Sequence, residues 1–173
     1  VALAITAAGM FLLGRELFGD LGGLVASAAY ALAPHVLYQT FQRASISNAL
    51  AMAFYPWATW TLLRVAKAPS ARRIATAALA LTAVMISHVS AAVLLIAPLV
   101  MIGTLVCLLE GRTSAERRSR LGATALALGL GLALSAFCWL PALTEIQHTR
   151  YADSIAQGDE AFHRHFADVW RWA

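Results

Sequence analysis

The sequence predicts an all-α, polytopic helical membrane protein, and three observations carry this prediction. Apolar residues make up 60% of the 173 residues and charged residues only 13%, whereas soluble domains average about 45 to 50% apolar residues. Several uncharged runs reach the roughly 20 residues that a helix needs to cross a bilayer. Lys and Arg are concentrated in alternate gaps between those runs, which is typical of a chain that crosses a membrane repeatedly.

The sorting of basic residues predicts the orientation of the chain. Nine of the thirteen Lys and Arg residues occupy three short gaps, and the other gaps hold almost none. Cytoplasmic loops of multi-pass proteins retain Lys and Arg, so these three gaps are predicted to face the cytoplasm from the inner (plasma) membrane, in contact with its lipid. The nine residues are Arg15; Arg64, Lys67, Arg72 and Arg73; and Arg112, Arg117, Arg118 and Arg120.

Five uncharged runs supply the spanning segments, and the second, third and fifth are each predicted to form one helix. The fourth run has 36 residues and would reach about 54 Å as a single helix, which is too long for one span. A hairpin there also returns the second and third basic gaps to the same side of the membrane. The runs are residues 1–14, 21–42, 44–63, 74–109 and 121–144.

The turn of that hairpin is placed at Ser87-His88-Val89-Ser90, the most polar part of the run. About six spans result, at roughly 1–14, 21–40, 46–64, 73–87, 90–109 and 121–142. The outer side then carries the connection at 41–45, the His88 turn and a tail. Residues 1–144 are predicted to form a helical transmembrane domain, itself part of a larger protein, and residues 145–173 to begin an extracytoplasmic segment.

Arg43 is the first candidate functional residue, since it is the only basic residue on the predicted outer side before position 150. Tyr38, Gln39 and Gln42 precede it. The planar guanidinium binds phosphate oxygens well, which favours an anion site. The structural alternative is an Arg that extends to lipid headgroups or caps a helix end.

His88 is the second candidate, at the predicted hairpin tip between Ser87 and Ser90. A histidine in such a turn can bind phosphate as a cation or act as a general base, and the structural alternative is an ordinary hydrogen-bonding role. His35 follows Pro34 near the outer end of the second predicted span and is expected to face the same space.

Other classes of site receive little support. The tail residues His163, His165 and Asp168 do not align as a complete metal-ligand set in a helix or a strand, so no metal site is predicted. No basic stripe with interleaved aromatic residues indicates nucleic-acid binding. Cys107 and Cys138 lie within apolar runs without CxxC spacing, and no Walker, Rossmann, HExxH or GxSxG motif indicates a cofactor.

The predicted outer face carries no carboxylate before Glu145. The acids that precede Glu110 are Glu16 and Asp20, and both fall in a cytoplasmic gap. An outer-face enzyme that uses a carboxylate is therefore expected to take it from upstream of Val1 or from the tail. The catalytic residue is unknown from this sequence, and the visible outer residues are predicted to bind substrate.

Three stretches resemble a known family. They are Gln42 to Ala51 (QRASISNALA), Ile86 to Ala91 (ISHVSA) and Ser135 to Glu145 (SAFCWLPALTE). In this order they resemble motifs of large bacterial membrane proteins that carry a 6-pyruvoyl-tetrahydropterin synthase-related domain, which are in turn similar to GT-C type glycosyltransferases. This sequence differs in having Asn48 where an acid is common and Val89 where Asn is common.

The resemblance implies a multi-span enzyme that transfers a sugar from a polyprenyl-phosphate donor on the extracytoplasmic face. It implies that Arg43 and His88 bind the lipid phosphate, with His35 near them. Tyr38, Gln39 and Gln42 would bind sugar hydroxyls. The acidic motif of such proteins lies in the first outer loop, which here would precede Val1; a divalent metal and assembly into a larger membrane complex stay open.

Two other classes are compatible with a polytopic chain. A non-catalytic accessory or structural subunit would use Arg43 and His88 to bind lipid or a partner helix. A transporter would favour internal repeats, broken helices and buried charges within the spans, and the predicted spans contain no such charges.

Overall fold

The computed structural model describes residues 1–42 and 45–145, apart from the side chains of Gln42, Ala91 and Ala142. These residues form an all-α structure, which confirms the all-α part of the predicted fold class. A π-helical turn covers Tyr38–Gln42. Within the described residues there are seven helices: α1 Ala2–Ala31, α2 Pro34–Leu37, α3 Ile46–Lys67, α4 Ala71–Ser87, α5 Val89–Glu110, α6 Ser114–Leu134 and α7 Ala136–Thr144.

Helix α1 reverses direction at Gly19, whose φ of 78° and ψ of −176° interrupt the helix. Glycine adopts this backbone conformation without a steric penalty. The Ser27 hydroxyl donates to the Ala7 carbonyl at 2.8 Å, although 20 residues of straight helix would separate them by about 30 Å. The first two predicted segments are therefore two antiparallel arms of one helical hairpin.

The 36-residue apolar run is broken at His88, as predicted. His88 is extended, with φ −162° and ψ 103°, and separates α4 from α5. The start of α4 lies at the end of α3, where the Arg73 side chain donates to the Ala68 carbonyl. The far part of α5 lies there too, since a Cβ added at Gly103 would lie 3.5 Å from Leu62. Helices α4 and α5 are therefore antiparallel.

Two predicted spans differ from the observed helices. The segment at 21–40 is interrupted at Leu32 and Ala33, because Pro34 disfavours a helical conformation in the residue before it and starts α2 instead. The segment at 121–142 is divided at Ser135, where both the hydroxyl and the backbone N–H bind the Gly131 carbonyl, at 2.8 and 3.3 Å.

Helix α6 also begins earlier than predicted, at Ser114. The Thr113 hydroxyl accepts from the Glu116 N–H at 3.2 Å, and the Glu116 carboxylate accepts from the Arg112 N–H at 2.9 Å. The Thr113 contact satisfies an amide that the first helical turn leaves without a partner, and the Glu116 contact binds the N–H of the residue before the cap. Hydropathy alone does not detect such a polar start.

By length and composition alone, two helical stretches within the described residues are candidates to cross a membrane, Ala2–Ala31 and Ala92–Glu110, but the first is the hairpin that reverses at Gly19. Helix α4 has only 17 residues, and the first turns of α6 carry Arg117, Arg118 and Arg120. The count of six spans therefore stays a prediction.

Helix α3 is the central element and contacts α1, α4, α5 and α6. Its small residues Ala51, Ala53 and Ala58 are at most 2% exposed, and small side chains allow helices to approach closely. Val1–Cys138 form the first of two units, and of the second, which begins at Trp139, the structure describes residues up to Glu145. The predicted domain boundary at 144/145 stays a prediction.

Candidate functional site

The three basic gaps converge at one end of the helix bundle. Lys67, at the end of α3, forms an ion pair of 2.9 Å with Glu16, next to the reversal of α1. Arg73 at the start of α4 and Arg120 on α6 donate to backbone carbonyls at the C-terminal end of α3. The predicted grouping of these gaps on one face is therefore present in the fold, and their assignment to the cytoplasm stays a prediction.

A cavity of about 530 Å³ lies toward the opposite end of α3. Helix α2 contributes His35, the first turn of α3 contributes Asn48, and the α4/α5 junction contributes His88. The remaining lining residues are Met52, Tyr55, Ser90, Leu94, Leu95 and Pro98. Residues from three separate parts of the chain thus meet around one space.

The polar side of this cavity is ordered by hydrogen bonds. The His88 Nδ1 atom lies 2.9 Å from the Ser90 hydroxyl, so one ring nitrogen is held by its neighbour in the same turn. The Asn48 amide donates to the Gln39 side-chain oxygen at 3.4 Å. Gln39 is only 7% exposed, so a buried side chain fixes the orientation of the Asn48 amide. These contacts position imidazole and amide groups that can bind an anion or hydroxyls.

The rest of the cavity lining is mostly apolar. Met52 and Tyr55 follow Asn48 by four and seven residues on α3, which places all three on one helix face. Leu94, Leu95 and Pro98 complete the wall from α5. The cavity therefore combines a polar rim with an apolar flank, a combination suited to an amphipathic ligand.

The structure brings some of the predicted site residues together. His35 and His88 line the same cavity, as the sequence reasoning expected, and Gln39 contributes through Asn48. Tyr38 is 48% exposed and lines a different groove, beside Pro34. The side chain of Gln42 and the whole of Arg43 lie outside the described residues, so their roles stay predictions.

The cavity lining also includes four residues outside the predicted set of site residues: Asn48, Met52, Tyr55 and Ser90. Asn48 lies close in sequence to the predicted residues Tyr38, Gln39 and Gln42. The spacing of residues 48, 52 and 55 predicts that they share one face of a helix. It does not predict which other helix or cavity that face contacts.

The types of side chain around the cavity limit the chemistry that it can perform. None of the described residues that line it is a carboxylate. Within the part of the chain that the structure describes, no three His, Cys, Asp or Glu residues form a group able to hold a metal ion; the tail residues His163, His165 and Asp168 lie outside that part. The described groups can bind a ligand through imidazole, hydroxyl and amide hydrogen bonds.

Comparison with protein families gives one match over nearly the whole chain. A model described as "6-pyruvoyl-tetrahydropterin synthase related domain; membrane protein" matches residues 1–172. Comparison with curated proteins and with solved structures gives no match.

Proposed function

Because the chain belongs to the 6-pyruvoyl-tetrahydropterin synthase related family of membrane proteins, we propose that it is a glycosyltransferase similar to the GT-C type. It takes a sugar from a polyprenyl-phosphate donor on the extracytoplasmic face of the cell membrane, which the chain crosses about six times. The cavity formed by His35, Asn48 and His88 binds the donor.

The observation that carries the proposal is that two histidines line one cavity together with several apolar side chains. A polyprenyl-phosphate sugar has a polar phosphate and sugar joined to a long apolar chain. His35 and His88 offer hydrogen-bond donors to phosphate oxygens, while Met52 and Leu94 lie on the apolar side. The position of this cavity away from the basic end agrees with an extracytoplasmic site.

The proposed chemistry assigns leaving-group stabilisation to the histidines. As the acceptor oxygen bonds to the anomeric carbon and the bond from that carbon to the phosphate oxygen breaks, negative charge develops on the departing lipid phosphate. Donors aimed at that oxygen stabilise the developing charge. The Ser90 hydroxyl lies 2.9 Å from Nδ1 of His88 and orients the imidazole ring in the cavity lining. An acceptor base requires a different residue, because no described lining residue is a carboxylate.

The test uses the full-length protein in proteoliposomes with a panel of radiolabelled polyprenyl-phosphate sugars. His88→Ala and Asn48→Ala are compared with Ser47→Ala, whose exposed side chain neighbours Asn48 in sequence but does not line the cavity. We expect donor binding to weaken about tenfold or more in the cavity variants and to change less than about twofold in Ser47→Ala. Equal donor binding by wild type and His88→Ala would exclude the cavity as the donor site.

The absence of a carboxylate among the described lining residues also favours a second candidate, a non-catalytic accessory subunit that binds the same lipid. The two candidates differ in turnover. Sugar transfer to any acceptor supports the enzyme, whereas donor binding without transfer across the panel supports the accessory subunit.

A further inference from the structure

A second cavity, of about 490 Å³, lies at the basic end of the bundle. It is formed by the last turns of α3 and the first turns of α4, and Trp60, Arg64, Ser70 and Arg72 are among its lining residues. It shares no residue with the cavity formed by His35, Asn48 and His88, which we call the histidine cavity. Nothing in the proposed sugar transfer uses it.

The basic groups around this second cavity differ in how they are engaged. Arg73 donates from Nη1 to the carbonyls of Arg64 and Ala68, at 3.3 and 2.6 Å, and so caps the end of α3. Arg64 lies with its guanidinium carbon 5.0 Å from the centroid of the Trp60 ring, which orients the side chain by a cation–π contact. Arg72 is exposed to solvent.

Neither Arg64 nor Arg72 forms an ion pair within the described residues, and no carboxylate lines this cavity. Two acids near this end form ion pairs with other residues: Glu16 with Lys67 at 2.9 Å and Asp20 with Arg15 at 2.7 Å. Two arginines therefore present uncompensated positive charge to one space. Such a pair matches the oxygens of a phosphate group, which guanidinium groups bind in a bidentate manner.

The start of α4 adds hydrogen-bond donors to the same space. The Ser70 oxygen accepts from the Arg73 N–H at 3.3 Å, which leaves its hydroxyl hydrogen to donate. The first-turn amides of a helix also lack helical acceptors and favour a nearby anion. These groups supplement the arginines and limit the ligand to an anion.

We propose that this cavity binds the phosphate of an anionic phospholipid headgroup. The basic end of a polytopic bundle lies at the level of headgroups, and Trp60 is a residue type enriched at that level. Leu79, which is 61% exposed, follows Thr76 of the cavity by three residues on α4 and offers an apolar path for an acyl chain. Inorganic phosphate can make the same contacts with the arginines, but it has no acyl chain to contact Leu79 and is therefore expected to bind less tightly.

The test measures binding to the full-length protein in detergent by isothermal titration calorimetry. The probes are dioctanoyl phosphatidylglycerol, dioctanoyl phosphatidylcholine and inorganic phosphate. Two variants are compared with wild type. One carries both Arg64→Gln and Arg72→Gln. The other carries Arg72→Gln alone, which alters an exposed side chain and so spares the fold. Arg118→Gln is the matched control, because Arg118 is an exposed arginine on α6 that does not line the cavity.

We expect phosphatidylglycerol to bind wild type at least about tenfold more tightly than either other probe, and the double variant to lose about tenfold in affinity. Arg72→Gln should lose about threefold or more, and Arg118→Gln should stay within about twofold. Equal losses in Arg118→Gln and the cavity variants would overturn the proposal in favour of diffuse surface charge. Equal affinity for inorganic phosphate would overturn the lipid assignment, and unchanged binding in Arg72→Gln and the double variant would exclude this cavity.

Discussion

The hydroxyl of Tyr30, in the second arm of α1, donates to the backbone carbonyl of Met52 on α3 at 3.2 Å. Pro56 explains the pairing, because a proline within a helix has no N–H for the carbonyl four residues earlier. Tyr30 therefore supplies the donor that α3 cannot. Met52 also lines the histidine cavity, so this contact ties the cavity wall to α1.

Tyr30→Phe is expected to destabilise the fold by about 1 to 2 kcal/mol, because the Met52 carbonyl loses its donor in an apolar setting. Thermal unfolding in detergent measures the loss. In a Pro56→Ala background residue 56 regains an N–H, so the same Tyr30→Phe change should cost less. An equal cost in both backgrounds would show that the two groups are not coupled.

Gly9→Ala is expected to destabilise the protein by about 1 to 3 kcal/mol through overpacking. An added Cβ would lie 2.5 Å from the Trp57 ring, and that ring is held in place by its N–H donating to the Ile5 carbonyl at 2.9 Å. The control is Gly129→Ala, where nothing lies within 4 Å of the added Cβ. That change should be neutral or stabilising by up to about 1 kcal/mol; similar unfolding temperatures for both variants would contradict the packing described at Gly9.

Cysteine labelling tests the predicted orientation of the bundle in the membrane. In a background without Cys107 and Cys138, Ser90→Cys and Ser114→Cys should react with an impermeant maleimide from opposite sides of sealed vesicles. Ser47→Cys lies at the same end as Ser90 and should share its side. Reaction of Ser90→Cys and Ser114→Cys from one side would contradict the placement of the α4/α5 hairpin across the membrane.

Arg43→Ala is expected to abolish sugar transfer from a polyprenyl-phosphate donor while the yield of folded protein stays unchanged. The expectation rests on the family resemblance and on the affinity of guanidinium for phosphate. Arg118→Ala, at the basic end, serves as the control for loss of one positive charge. Full transfer activity in Arg43→Ala would remove this residue from the donor site.

The α4/α5 break was predictable because its causes are local. His88 and its serines are the only strongly polar group in a 36-residue apolar run, and a run of that length exceeds what one span requires. The basic gaps were assigned to one face for a similar reason, since charge in loops follows the order of the crossings. The interruption before Pro34 also had a local signal, and the span drawn through 21–40 overlooked it.

The tertiary structure decided which residues line the histidine cavity. Helices α3 and α5 are apolar nearly all round, so they lack the polar stripe that would reveal which face turns inward. Their rotation is decided by long-range packing, such as the contact of Gly9 with Trp57. The sequence by itself therefore determined the helical class, the break at His88 and the grouping of the basic gaps. The pairing of Tyr30 with Met52 and the meeting of Asn48 with His88 were decided only when the helices packed, because helix rotation is a property of the assembled bundle.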